Sequence, residues 1–462
     1  MARSTSGTAR IAEFTAETEY RHLPPEAILA AKHGILDWLG VAILGAMEPS
    51  VKILSEYARG LAAREEASAI CQGFMTAAEL AALVNGASGH ALDFDDTFAN
   101  SVRYNLHPTT CILPAAMAMT EKLKLSGPNL LLAYIVGLEI EFRIGAAIGQ
   151  LIPAIGWYPT PVLGTLGATA ASGKALRLSP AKGQAALGIA ASLAGGMKKN
   201  VGTMTKTMHA GNGARNGVIA ASLAHRGFTG NPLIFEGENS FCEQFSNRQV
   251  TSLINAEENL GREWMVLSAG LAFKPYPCCR ATHPSIDAVL YLRQKYGLNP
   301  DRIGSITCKL NPLVLGMTPY EQPQSGYEAK FSMTYCIARA LLDGEVLLEH
   351  FTDEKVREKN WQPLIPKIDF LHPDPWGHGA VDLLTEIVIH LTNGESISHR
   401  VAIPKGEPEN PMTEGELVDK FKQCTKAVLE EREGERLVDS ILHLERIDDL
   451  TEFFGALRKS CV

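Results

Sequence analysis

The residues most able to do chemistry sit in one short segment. Gly89-His90-Ala91-Leu92-Asp93-Phe94-Asp95-Asp96-Thr97 is followed by Arg103 and then by Leu106-His107-Pro108-Thr109-Thr110. Two histidines, three aspartates, a hydroxyl and an arginine thus fall in a region otherwise rich in Ala, Gly, Leu and Ile. Folding has no need of three carboxylates at the end of an apolar helix, where desolvation disfavours each one. Three readings follow. His90, Asp93, Asp95, Asp96 and His107 are ligand types for a metal, although their spacing matches no known metal loop. The acids could instead cap the next segment and pair with Arg103. Third, they could form an acid/base and substrate-orienting cluster, for which histidine is the natural group near neutral pH.

Two further stretches bear on that choice. Thr203-Met204-Thr205-Lys206-Thr207-Met208-His209 places a lysine and a histidine among small and apolar neighbours. The pattern predicts a loop there, with a helix opening near Asn212-Gly213 whose amides could hold a carboxylate. Phe273-Lys274-Pro275-Tyr276-Pro277-Cys278-Cys279-Arg280-Ala281-Thr282-His283 supplies Lys274, Arg280 and His283 where the chain changes character. No Gly-rich nucleotide loop, Walker lysine or nucleophile-elbow serine appears. Carboxylates, histidines and lysines without a nucleotide loop point to proton transfer beside a carboxylate of a small polyanion. Lys206 and Lys274 would stabilise the developing enediolate.

The elements that must position these groups are mainly helical. At 462 residues, two domains are expected. A net charge of −8 offers no basic field for nucleic acid or an anionic membrane. The odd number of cysteines, without regular spacing, fits a reducing cytoplasm better than a disulfide framework. The apolar runs 130–148 and 183–197 are interrupted by or end on charges and read as buried core helices. Helices are predicted over 51–64, 77–92, 110–123, 128–149, 161–176, 181–195 and 213–227. Their Ala and Gly content suits closely packed helices. After about residue 267, strand patterns at 303–310, 384–391 and 396–403, the last two flanking Asn393-Gly394, predict an α+β domain over 268–405. The fold class is thus mainly α, with a large all-helical domain (1–267, rejoined by helices of 406–462) plus a smaller α+β domain.

Four stretches in order, Gly89–Thr97 with His107-Pro108, Gly156–Gly167, Thr203–Thr229 and Lys274–His283, resemble the MmgE/PrpD family along nearly the whole chain. That family includes 2-methylcitrate dehydratase, cis-aconitate decarboxylase and iminodisuccinate epimerase. The resemblance implies an α+β lid on a helical domain, a homodimer, and an active site between domains that uses neither cofactor nor metal. Asp93, Thr97 and His107 match the family's acid, hydroxyl and histidine. Lys206 matches the lysine of its Thr-Lys-Pro-Leu-His stretch, here with Thr207-Met208 in place of Pro-Leu, and Lys274 matches the lysine at the lid boundary. Tyr158 departs from the decarboxylase-like members, which carry histidine there. A tyrosine can donate a hydrogen bond, or act as a base if lysines lower its pKa.

The resulting expectation is a cytoplasmic lyase, first of all a dehydratase acting on a small hydroxy di- or tricarboxylate. Lys206 or Tyr158 would be the base and His107 the acid, with Asp93 orienting His107. Lys274 and Arg103 would hold substrate carboxylates, with Thr97, His209 and Arg280 completing the binding set. An epimerase using Tyr158 and Lys206 as two bases comes second. Tyr158 puts decarboxylation of a cis-aconitate-type acid third, and a non-catalytic binding protein comes last. Specificity is expected in the loops 99–105 and 313–324.

Overall fold

The computed structural model describes residues 6–98, 106–253, 259–372 and 383–459. The chain divides into two compact units. One comprises the chain up to Leu271, apart from a stretch outside the described residues, and resumes at Thr413; the other is Ala272–Met412.

The first unit is helical. Its main elements are α1 (Gly7–Glu17), α2 (Pro25–Gly45), α3 (Pro49–Gly60), α4 (Ala78–His90), α5 (Thr109–Leu123), α6 (Gly127–Ile144), α7 (Pro159–Ala175), α8 (Pro180–Leu193) and α9 (Met204–His225). Prolines open α2, α3, α6, α7 and α8 within their first two positions, where no backbone donor is lost. A small antiparallel hairpin, β1 (Ala67–Ala69) with β2 (Phe74–Thr76), escaped the sequence reading because three-residue strands carry almost no periodicity. Helix α2 is long and apolar enough to cross a membrane, yet most of its residues are buried inside this unit. After Thr413 the chain adds three more helices, α12 (Glu414–Thr425), α13 (Glu431–Leu442) and α14 (Thr451–Arg458).

Close approach between α4 and α9 explains the glycines. A Cβ on Gly211 would lie 2.2 Å from the Leu83 carbonyl oxygen, and one on Gly86 would lie 2.9 Å from the Gly211 Cα. Each glycine costs roughly 0.5–1 kcal/mol of helix propensity. They let two site-bearing helices touch backbone to backbone. This contact also accounts for a misplaced boundary. The stretch expected as a loop before Asn212 is the first two turns of α9, capped by the Thr203 hydroxyl accepting from the Thr205 N–H.

The second unit carries α10 (His283–Tyr296), α11 (Met333–Asp343) and a four-stranded sheet. Strands β3 (Ile303–Leu310), β5 (Thr385–Leu391) and β6 (Ser396–Val401) pair antiparallel, the hairpin turning at Asn393-Gly394 with Gly394 at φ +91°. A fourth strand, β4 (Ile368–Leu371), lies parallel to β3 and was not expected. A short helix, Gly326–Ala329, precedes α11.

Lysine 420 ties the C-terminal helices to the chemistry-bearing segment. From α12 its ammonium donates to Asp37 Oδ1 at 2.6 Å and to the Phe94 carbonyl at 2.8 Å, and lies 3.9 Å from the Phe94 ring centroid. Lys420 and Asp37 are both buried, so breaking the pair leaves a buried charge. Lys420→Met should cost about 3–5 kcal/mol, measured by urea unfolding. Asp37→Asn together with Lys420→Met should recover most of that loss.

Candidate active site

Helix α4 ends at His90, and the chain reverses through Asp93 in a left-handed conformation, φ +53°. A non-glycine residue there is strained unless its surroundings hold it. Two lysines do so. Lys420 anchors the next carbonyl, and Lys206 Nζ donates to Asp93 Oδ1 at 2.7 Å. Lys206 is only 4% exposed and sits in the first turn of α9, where the helix dipole disfavours a cation. The Asp93 carboxylate offsets that cost.

Asp95, two residues on, is fully buried and serves different partners. Its Oδ2 accepts from His90 Nδ1 at 2.8 Å and from His107 Nδ1 at 3.1 Å. The two rings meet edge-on with centroids 4.7 Å apart. Burial alone would raise the Asp95 pKa, but attraction to His90 and His107 and their hydrogen bonds hold it well below the usual carboxylate range. A carboxylate cannot donate, so each imidazole carries its proton on Nδ1 and turns Nε2 to other partners. The orienting role expected of Asp93 toward His107 therefore falls to Asp95. The family resemblance implied neither His90 nor Asp95 as a site residue. Asp93 and Asp95 lie two positions apart, and the left-handed turn at Asp93 is what separates the two carboxylates' directions.

Tyr158, the residue before α7, places its hydroxyl 3.0 Å from His90 Nε2. Burial pushes the His90 pKa down to about 4, aided by Lys206 and His107 and opposed by Asp95. The neutral Nε2 is thus an acceptor and Tyr158 the donor. Thr160 also hydrogen-bonds to the phenol, and its Oγ1 accepts from the His107 backbone N–H at 3.1 Å. The expectation that lysine lowers the Tyr158 pKa is reversed. Burial raises it, outweighing Lys206, whose Nζ is 5.9 Å from the ring centroid.

Other groups complete the same pocket of polarity. His209, 5% exposed, packs its ring 6.1 Å from that of Tyr158, and its Nδ1 has no hydrogen-bond partner among the described residues. Burial, reinforced by Lys206, lowers its pKa. Thr97 Oγ1 is likewise buried without a partner there. Asp96 accepts from Thr109 at 2.6 Å, and Thr109 and Tyr134 share a 2.5 Å hydrogen bond. Burial, reinforced by Asp37 and Asp95, raises the Asp96 pKa well above its usual value, opposed by the Thr109 hydrogen bond. Arg103 lies outside the described residues, as does the loop 99–105.

Within the second unit, Lys274 is buried. Arg280, expected to bind substrate, has its donors engaged within that unit. Nε and Nη2 donate to Glu407 Oε1 at 2.9 and 2.7 Å, and Nη1 to the carbonyls of Phe273 and Lys405 at 3.4 and 3.0 Å. Its 2% exposure fits a structural cation. Among the described cysteines, Cys71 is disulfide-bonded, whereas seven others are free and buried.

His90, Asp95 and His107 bring ligand-type atoms within 4.8 Å of one another. Both Nδ1 protons already point at the single Asp95 oxygen, so chelation through those atoms would require removing them. The donor set fits proton handling better.

Residues 9–253 match the MmgE/PrpD N-terminal domain and residues 276–446 the MmgE/PrpD C-terminal domain. The chain belongs to the MmgE/PrpD family. It is 30% identical to the cis-aconitate decarboxylase of Mus musculus over 440 residues, 93% of this chain and 88% of that protein. Likeness to the Homo sapiens enzyme of the same name is also 30%, over 443 residues, 93% and 89% of the two chains. That of Aspergillus terreus is 28% identical over 474 residues, 97% and 95% of the two chains. The kinship supports an enzyme of the lyase type.

Glu141, on α6, is fully buried, and neither carboxyl oxygen has a partner among the described residues. Burial, reinforced by Asp96, raises its pKa well above 4.5. The folded state therefore holds this proton more tightly than the unfolded chain does. The resulting stability is full below about pH 4.5 and is lost as pH rises toward the folded value. Glu141→Gln should match the wild type near pH 4 and exceed it increasingly above, by up to about 1.4 kcal/mol per pH unit. Urea unfolding across pH 4–8 checks this.

Proposed function

We propose that this protein is a cofactor-independent lyase acting on a small polycarboxylate, with decarboxylation of a cis-aconitate-type acid as its first reaction. The observation that carries the reading is the buried Asp95–His107 dyad. A carboxylate on Nδ1 stabilises the imidazolium, so Nε2 can deliver a proton. In decarboxylation the C–COO⁻ bond breaks, CO2 leaves, and the electron pair passes into the neighbouring unsaturated carboxylate. His107 then protonates carbon. Lys206, held by Asp93, supplies positive charge for the enediolate, and Thr97 and His209 offer hydrogen bonds to substrate oxygens. The decarboxylase relatives move this reaction ahead of dehydration.

Dehydration of a hydroxy tricarboxylate is the second reading, favoured by the neutral imidazole behind Tyr158. In that reaction the same His107 protonates the departing hydroxyl. Family kinship also supports a homodimer.

Incubation with cis-aconitate, citrate, 2-methylcitrate, malate and aspartate-type acids separates the readings. CO2 release from cis-aconitate is the expected result. A new alkene from a hydroxy acid selects dehydration, and solvent deuterium in an inverted but otherwise unchanged substrate selects epimerisation. Turnover of none of these acids overturns the proposal. His107→Ala should lower kcat/KM by about 100-fold or more, with the fold checked by circular dichroism. Unchanged turnover would remove His107 from the mechanism.

A further inference from the structure

Decarboxylation needs a proton donor but no base, yet the buried cluster contains a hydrogen-bonded chain arranged as one. Tyr158 O–H donates to His90 Nε2 at 3.0 Å, and His90 Nδ1–H donates to Asp95 Oδ2 at 2.8 Å. Thr160 is hydrogen-bonded to the phenol, and its own oxygen is supplied with a proton donor by the His107 N–H at 3.1 Å. Every proton in the chain runs one way, from phenol to imidazole to carboxylate.

We propose that Tyr158, His90 and Asp95 form a proton relay in which His90, backed by Asp95, takes up the phenolic proton as Tyr158 removes a proton from carbon next to a carboxylate. This rests on the polycarboxylate reading above. The substrate C–H bond breaks and its proton goes to the Tyr158 oxygen. At the same time the phenolic proton moves to His90 Nε2. The electron pair left on carbon is delocalised into the adjoining carboxylate as an enediolate. Reversal returns a proton to carbon, so no oxidant or co-reactant is needed.

The relay removes the difficulty that burial creates for Tyr158. No free phenolate forms, so its raised pKa imposes no barrier. The positive charge appears instead on His90, directly against the Asp95 carboxylate. The charged and titratable groups facing His90 are Asp95, Lys206, His107 and Tyr158. Lys206 and burial hold the imidazole neutral. The negative charges of a polycarboxylate oppose that influence and make the imidazolium accessible when substrate is bound. His90 touches Tyr158 and acts through it, and so is a positioning and proton-accepting residue behind the reacting group.

Tricarballylate tests the relay apart from decarboxylation. It is saturated and carries no hydroxyl, so it can neither eliminate water nor decarboxylate through an adjoining alkene. Its affinity is measured by calorimetry, and its carbon-bound hydrogens are followed by proton NMR in deuterated water. The wild type should bind it and exchange hydrogen next to a carboxylate. His90→Gln can hydrogen-bond the phenol but cannot accept a proton. It and Tyr158→Phe should bind with affinity within a few-fold of wild type and exchange at least about 100-fold more slowly. Exchange undiminished in folded His90→Gln overturns the relay. Binding to wild type without exchange overturns it as well. Failure of tricarballylate to bind counts against the polycarboxylate reading itself, and the relay falls with it.

Discussion

One carboxylate oxygen, Asp95 Oδ2, receives protons from two imidazoles in a region sealed from water. That sharing settles the tautomers of His90 and His107 together, and with them the direction in which each Nε2 faces. It also requires desolvation to be overcome, because a fully buried carboxylate is stable only where donors converge on it. The helical unit is arranged to bring the donors there. Helix α4 delivers His90, the segment before α5 delivers His107, and Tyr158 and Thr160 enter from the start of α7.

Several local costs surround this cluster. Asp93 adopts a left-handed backbone, Lys206 stands at the wrong end of a helix dipole, and Asp96 and Glu141 are carboxyls whose pKa burial raises. A packed helical core could have avoided all four. Their concentration in one unit, a few residues apart in the first chemistry-bearing segment and on helices packed around it, is the pattern of strain and perturbed acidity expected of a catalytic centre. The stability needed to carry them comes from close helix contacts such as Gly86 against Gly211, and from the Lys420–Asp37 pair.

Tyr158 changes how protons are distributed within a family arrangement. A histidine at that point could itself be the acid or base near neutral pH. A buried phenol cannot, because desolvation disfavours its anion. The neighbouring His90 restores an acceptor, so the chemistry spreads over two residues instead of one. The same change leaves the Asp95–His107 dyad intact.

Much of the fold was legible in the sequence. Proline openings, 3.6-residue periodicity and the Asn393-Gly394 turn locate most helices and the hairpin, because these signals are local. Asp93, Thr97, His107, Tyr158 and Lys206 also stood out, as polar groups set in apolar surroundings or at positions of a family's motifs. What the sequence could not assign was pairing. Asp93 and Asp95 are chemically alike and two positions apart, and only the left-handed turn sends one toward Lys206 and the other toward two histidines. The direction of the Tyr158 pKa shift was equally hidden, since burial competes with a nearby lysine and only packing decides which prevails. Sequence determined which functional groups are available; tertiary structure decided their partners and protonation states, because both depend on desolvation and on contacts between segments far apart in the chain.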